Sequence, residues 1–329
     1  MVARRAEPAV GSRVAVVGST SPSGLAIRRA LERAGVPGSR VGLFSGAEGQ
    51  ATLAEYAGEA RLIQELRDDE IERYTVRFAC EPGVATRLGR TDSPNSVLVS
   101  TWEAADGSAP TVGAVRRAGG TVPAEVRLVH PVALALVRLA TGFAAGPGIA
   151  SWTAVVLRPA ADRGERGAEE LRAQTAALLS FSSAPTRSLG RRLAFDCVPQ
   201  AAMPGEPAGL EQRIAEDVRV ELGAGVGDVG VRMVWVPAFF GHALVVRCIA
   251  REPVEPSRWR ELLAVGGVTY ADPSEGLPSQ ASASGEATIR AAVLGTDGPA
   301  AAWLWAVADD ASASAADEAI EFFRDSGTL

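Results

Sequence analysis

Four apolar residues in succession, Val14 to Val17, begin the chain's regular pattern of hydrophobic positions. An uninterrupted run of this length predicts a parallel strand covered on both faces. Leu25, Ala26, Leu31 and Ala34 then return at roughly helical spacing, so residues 13–35 predict a strand, a glycine-bounded turn and a helix. Further short strands are expected at Arg40–Ser45, Tyr74–Ala79, Ser96–Ser100 and Glu125–Val129. That is the rhythm of an open α/β sheet. Pro131 suits the first turn of a helix over Val132–Thr141, which the glycine and proline cluster at 142–148 is expected to end.

The texture changes at Ile149. Ile149–Arg158 reads as a ten-residue strand of alternating character, followed by helices at Glu165–Ser180 and Leu210–Leu222. Strands at Val229–Val236 and Ala243–Arg251, a helix near Pro256–Ala264, and strands at Glu286–Leu294 and Ala301–Ala308 predict a mainly antiparallel sheet with helices on one face. The Gly-, Pro- and Ser-rich segment Asp272–Gly285 is expected to be a mobile loop. The final helix, Ala315–Arg324, has Ala319, Ile320, Phe322 and Phe323 to turn toward an apolar surface, and is expected to dock back on the first domain. The expected division is a Rossmann-like dinucleotide-binding α/β domain over residues 1–131, with the helix at about 312–329 returning to it, and an α+β domain over 132–311.

Composition narrows the function classes. With 47% hydrophobic and 22% charged residues, the chain is long enough for two domains. A net charge of -6 and a pI near 5.2 argue against a general nucleic-acid binder, because such binding neutralises phosphates with clustered Lys and Arg. Glu7 and Pro8 follow the basic start where a signal peptide would turn apolar, and Arg138 interrupts the apolar stretch 132–145. A cytoplasmic protein with no membrane partner is expected. Cys80, Cys197 and Cys248 are scattered, and with His130 and His242 they form no metal-ligand spacing, so reduced thiols and no metal are expected.

The first turn holds the candidate cofactor residues Gly18, Ser19, Thr20, Ser21 and Gly24. Gly18 allows the tight turn, and Gly24 lets the helix approach the sheet. Between them Ser21 and Pro22 stand where such loops usually carry another glycine for a pyrophosphate.

In order and spacing, the segments resemble the aspartate-semialdehyde dehydrogenase family over nearly the whole chain. The carriers are Val-Ala-Val-Val-Gly-Ser-Thr-x-x-x-Gly from Val14, Glu-Leu-Arg-Ala-Gln-Thr (Glu170–Thr175) and Ala-Phe-Asp-Cys-Val-Pro-Gln (Ala194–Gln200). The helix around Glu216, Val-Pro-x-x-x-Gly-His (Val236–His242) and Ala-Val-Ala-Asp-Asp (Ala306–Asp310) complete the set. The resemblance implies a dimerisation domain over 132–311 and a reaction in which a cysteine thiolate attacks an acyl phosphate or aldehyde, a histidine handles the proton and a nicotinamide exchanges hydride. It places that cysteine at the start of the helix after the last strand of the first domain. Here the window Arg127–Ala135 contains no cysteine. It also implies a substrate-binding arginine just before Val-Pro, where this chain has Trp235, which cannot make a bidentate pair with a carboxylate.

His242 matches the family's catalytic histidine, as a vestigial acid/base or as a histidine held structurally at a domain junction. Cys80 is the alternative thiol, against an inert buried cysteine at a strand end. Cys197 and Cys248 are expected in the core, and Trp152, Trp303, Trp305, Phe239 and Phe240 in the core or a subunit interface. Ser45 resembles the start of the family's adenosine 2′-phosphate loop, but the arginine is missing and Glu48 would repel that phosphate, which favours NAD over NADP if either binds.

Three functions compete. One is a catalytically degenerate homologue resembling the family's Usg-type branch, acting as a homodimer or by association with an active paralogue. The others are an active NAD(P)-dependent oxidoreductase of amino-acid biosynthesis and a nucleotide-binding sensor.

Overall fold

The computed structural model describes residues 12–45, 52–89, 96–105, 108–119, 121–283, 288–309 and 311–329. They fall into two compact units, Met1–Pro131 with Ser312–Leu329, and Val132–Ala311.

The first unit runs β1 (Val14–Val17), α1 (Pro22–Arg33), β2 (Val41–Ser45), β3 (Thr52–Tyr56), β4 (Glu59–Glu65), α2 (Asp68–Ile71), β5 (Val76–Ala79), α3 (Val84–Leu88), β6 (Val97–Ser100), α4 (Val112–Ala118) and β7 (Glu125–Arg127). Among the described residues its sheet has seven strands in the order β3-β4-β2-β1-β5-β6-β7, parallel except for the β3–β4 hairpin. Val14 and Val17 face Val41 and Phe44 on one side and Val76 and Ala79 on the other. Both faces are covered, as an all-apolar strand requires. Val14, Val16, Phe78 and Val99 share one core with Ile27 and Leu31 of α1 and with Ala319, Ile320, Phe322 and Phe323 of the C-terminal helix (Ala311–Asp325). Ala15, Val17, Phe44 and Ala79 pack with Leu88 and Leu98 in the other. Fully burying each such large side chain contributes roughly 1.5–3 kcal/mol.

The second unit contains α5 (Pro131–Ala145, its first residue belonging to the other unit), β8 (Ile149–Arg158), α6 (Glu165–Leu179), β9 (Val198–Pro199), α7 (Leu210–Leu222), β10 (Val226–Trp235), β11 (His242–Ala250), α8 (Arg258–Val265), β12 (Thr269–Tyr270), β13 (Arg290–Thr296) and β14 (Ala301–Ala308). Its sheet has the order β12-β13-β14-β11-β8-β10-β9, antiparallel except at β12–β13 and β8–β10. One face packs under helices, where Trp152 and Trp259 flank Phe143 at 6.1 and 5.2 Å between ring centroids. The other face carries two cross-strand rows, Arg232–Val155–Val245–Trp305 and Gly230–Thr153–Arg247–Trp303.

Three expectations change. The helix from Pro131 ends within the expected cluster but runs past Thr141 to Ala145, and Gly142 is a packing position in it: a Cβ there would lie 2.1 Å from the Leu262 carbonyl oxygen. Residues 272–283 are not a loose loop, since Trp305 Nε1 donates to the Pro278 carbonyl at 2.6 Å, Gln280 Nε2 to that of Gly241 at 2.8 Å, and Ala283 is buried. Cys197 is exposed, not in the core, because it follows Phe195, whose backbone turns through φ 60° and leaves its ring 65% exposed.

Candidate functional site

In the first unit the sheet grows outward in both directions from β1, with β2 on one side and β5 on the other. The crevice beyond the carboxyl ends of β1 and β5 is therefore the topological switch point, where open α/β sheets place their ligands. Gly18 turns the chain out of β1 at φ +82°. Gly24 lets α1 start against the turn, because a Cβ there would lie 2.2 Å from the Gly18 carbonyl oxygen.

Ser21 caps α1, its Oγ accepting from the Gly24 N–H at 3.1 Å and donating to the Cys80 carbonyl at 2.8 Å. Ser23 Oγ reaches the same carbonyl at 3.1 Å and Thr101 Oγ1 at 2.9 Å, while the Ser23 N–H donates to Glu103 Oε2 at 2.9 Å. Glu81, directly after Cys80, stands over Gly18, and partial burial together with the Glu103 charge holds its carboxyl above the ordinary range. Cys80 is fully buried, and burial, then Glu103, push its thiol well above the usual value. That is the reverse of what a nucleophilic cysteine needs.

The sequence candidates Gly18, Ser19, Thr20, Ser21, Gly24 and Cys80 thus lie around one turn, and Ser45 ends the neighbouring β2. Glu48 lies outside the described residues.

His242 belongs to a different cluster, built at the end of β8 and the start of β11. Its Nε2 lies 3.1 Å from Asp162 Oδ2, and Arg158 Nε donates to the same oxygen at 2.6 Å. Arg158 Nη1 donates to Glu206 Oε2 at 2.7 Å and to Gln200 Oε1 at 2.8 Å, and Arg163 pairs with Glu206 Oε1 at 2.7 Å. Trp235 completes the group. Its indole is fully buried, donates to Gln200 Oε1 at 3.1 Å and lies under the Arg158 guanidinium, 4.1 Å from the ring centroid. Burial pushes the Asp162 carboxyl upward, but His242 and Arg158 outweigh it and hold the group well below the usual carboxylate range. His242 Nδ1 is buried without a hydrogen-bond partner among the described residues.

Chemically, the cluster holds a compact set of charges in place. Both guanidinium groups are engaged by carboxylates and by the indole face, so neither is presented as a carboxylate-binding fork.

Sequence reasoning missed Glu81, Glu103, Arg158, Asp162, Gln200 and Glu206 as site residues. Arg158 alone leaves a signal, a charge closing a ten-residue apolar-rich strand. The others become neighbours only through folding; Glu103 is separated from Ser23 by 80 positions. Among the described residues no cluster of three or more His, Cys, Asp or Glu could hold a metal ion, and no helix is long and apolar enough to cross a membrane.

No protein-family model matches the chain. It is 24% identical over 319 residues to a USG-1 protein homolog of Pseudomonas aeruginosa, covering 93% of this chain and 95% of that protein. A solved probable aspartate-semialdehyde dehydrogenase from Pseudomonas aeruginosa superposes with a TM-score of 0.82 at 23% identity, over 95% of this chain and 98% of the other. An aspartate-semialdehyde dehydrogenase from Candida albicans, solved with NADP, gives 0.66 at 13% identity, over 97% of this chain and all of the other. The chain has the two-unit fold of the aspartate-semialdehyde dehydrogenases.

Proposed function

We propose that this chain is a Usg-like homologue of the aspartate-semialdehyde dehydrogenases that does not carry out their reaction and acts by pairing with a second copy of itself. The observation that carries this reading is the window Arg127–Ala135. It spans the end of β7 and the start of α5, where the family resemblance puts the nucleophile, and it contains no cysteine. Cys80 and Cys248 are poor replacements, because both are buried with their thiols pushed up by burial, that of Cys248 to about 12. The Trp235 cluster supports the same reading, since an indole and two engaged arginines stand where the family reads a substrate carboxylate.

Pairing is supported by the second face of the large sheet, where Val155 and Trp303 are 36% and 38% exposed amid the partly buried Val245 and Trp305. A two-fold interface places the same patch on both partners, and on this face Val155, Val245, Trp303 and Trp305 form an apolar patch bordered by Thr153, Arg232 and Arg247.

The test is to incubate the purified chain with aspartate semialdehyde, phosphate and NAD or NADP while following nicotinamide absorbance, and to measure its mass by light scattering. We expect no rate above that of heat-inactivated protein, and a dimer. A rate abolished by His242→Ala or Cys80→Ser, or a monomer, contradicts the proposal.

A further inference from the structure

The fold implies a dinucleotide held through its pyrophosphate at the first turn, and the residues there do not fit one. Such a site consists of free backbone N–H groups at the positive end of a helix. Here most of the backbone donors are already committed. Gly18 and Ser19 donate to the Phe44 carbonyl at 3.0 and 3.1 Å, and Ser21 to that of Gly18 at 3.0 Å. Ser23 donates to Glu103 at 2.9 Å, Gly24 to Ser21 Oγ at 3.1 Å, and Leu25 to the Ser21 carbonyl at 2.8 Å. Pro22 has no N–H. Thr20 is the one remaining amide of the run without a hydrogen bond among the described residues. The Ser21 and Ser23 hydroxyls are spent as well, on the Cys80 carbonyl, while the buried Ser19 Oγ has no partner among the described residues.

The acceptor on Ser23 is a carboxylate. Anions are stabilised at a helix N-terminus, and Glu103 supplies one from the protein's own chain. Glu81 adds a second carboxyl group over Gly18, close enough that a Cβ on that glycine would lie 2.7 Å from Glu81 Cγ. A diphosphate would bring further negative charge into this partly buried place, where like charges are poorly screened.

We propose that Glu103 is a built-in anion occupying the pyrophosphate position, and that it determines the exclusion of dinucleotides from this turn. The inference goes beyond the pairing proposed above, because a chain can pair with or without a nucleotide.

Calorimetric titration of the full chain with NAD, NADP and ADP tests it, on the wild type, Glu103→Gln and Glu103→Ala, with amide hydrogen exchange read at residues 18–25. The glutamine variant keeps a side-chain oxygen for the Ser23 N–H and removes only the charge, so it serves even if the alanine variant fails to fold. The wild type should show no saturable binding in the millimolar range. Glu103→Gln should bind at least tenfold more tightly, about 1.4 kcal/mol, with new exchange protection at the turn. Wild-type affinity equal to that of Glu103→Gln, no gain in the variant, or a gain without protection at 18–25 would each overturn the proposal.

Discussion

Burial disfavours an ionised Asp162, yet His242 at 3.1 Å and Arg158 at 2.6 Å depress its folded-state pKa. A carboxylate depressed in this way contributes stability that is present above its unfolded pKa, about 3.9, and lost as pH falls through the folded value. The second unit should therefore weaken steadily below about pH 4 in urea titrations, and Asp162→Asn should flatten that slope. At neutral pH the same substitution should cost about 3 kcal/mol, because it leaves Arg158 one partner short in a buried setting. In the first unit, Gly24→Ala should cost about 3 kcal/mol in denaturant unfolding, since its Cβ would meet a carbonyl oxygen at 2.2 Å and α1 would have to lift. The role of Gly24 was legible in the sequence because a glycine at that spacing has few other reasons to exist. Asp162 and Glu103 look like any acidic residues until the fold supplies their neighbours.

Elements defined by their own side chains were the legible ones. Ile149–Arg158, Leu210–Leu222 and Ala301–Ala308 occupy the expected spans, because alternation or helical periodicity sets both their type and their buried face. The β3–β4 hairpin escaped notice for the opposite reason. Its positions are mostly exposed, with Leu53 at 72% and Leu62 at 52%, and its turn is Ala57-Gly58 at positive φ, of which only the glycine is a turn signal. The end of β10 behaves differently again. Trp235 there is bound to its surroundings by stacking and by the Gln200 hydrogen bond, so Trp235→Arg, which introduces the arginine that the resemblance implies, would put a third guanidinium beside Arg158 and Arg163. That variant should lose at least 3 kcal/mol of stability and gain no dehydrogenase activity, measured by urea unfolding and by the nicotinamide assay.

For the whole molecule, the proposed pairing face offers the decisive variant. Val155→Asp with Trp303→Ala changes only side chains that are already more than a third exposed, so each chain should stay folded by circular dichroism. In light scattering the proposed dimer should fall to the mass of one chain, 34.1 kDa. The capped turn has a separate consequence at this scale. An enzyme that borrows a helix cap from its cofactor gains stability by mass action as the cofactor accumulates. With Glu103 closing the helix as proposed, this protein would draw nothing from that reservoir, and its abundance in a starved cell and in a well-fed one would be set by the same folding equilibrium. On that proposal, absence of the nucleotide carries no folding penalty.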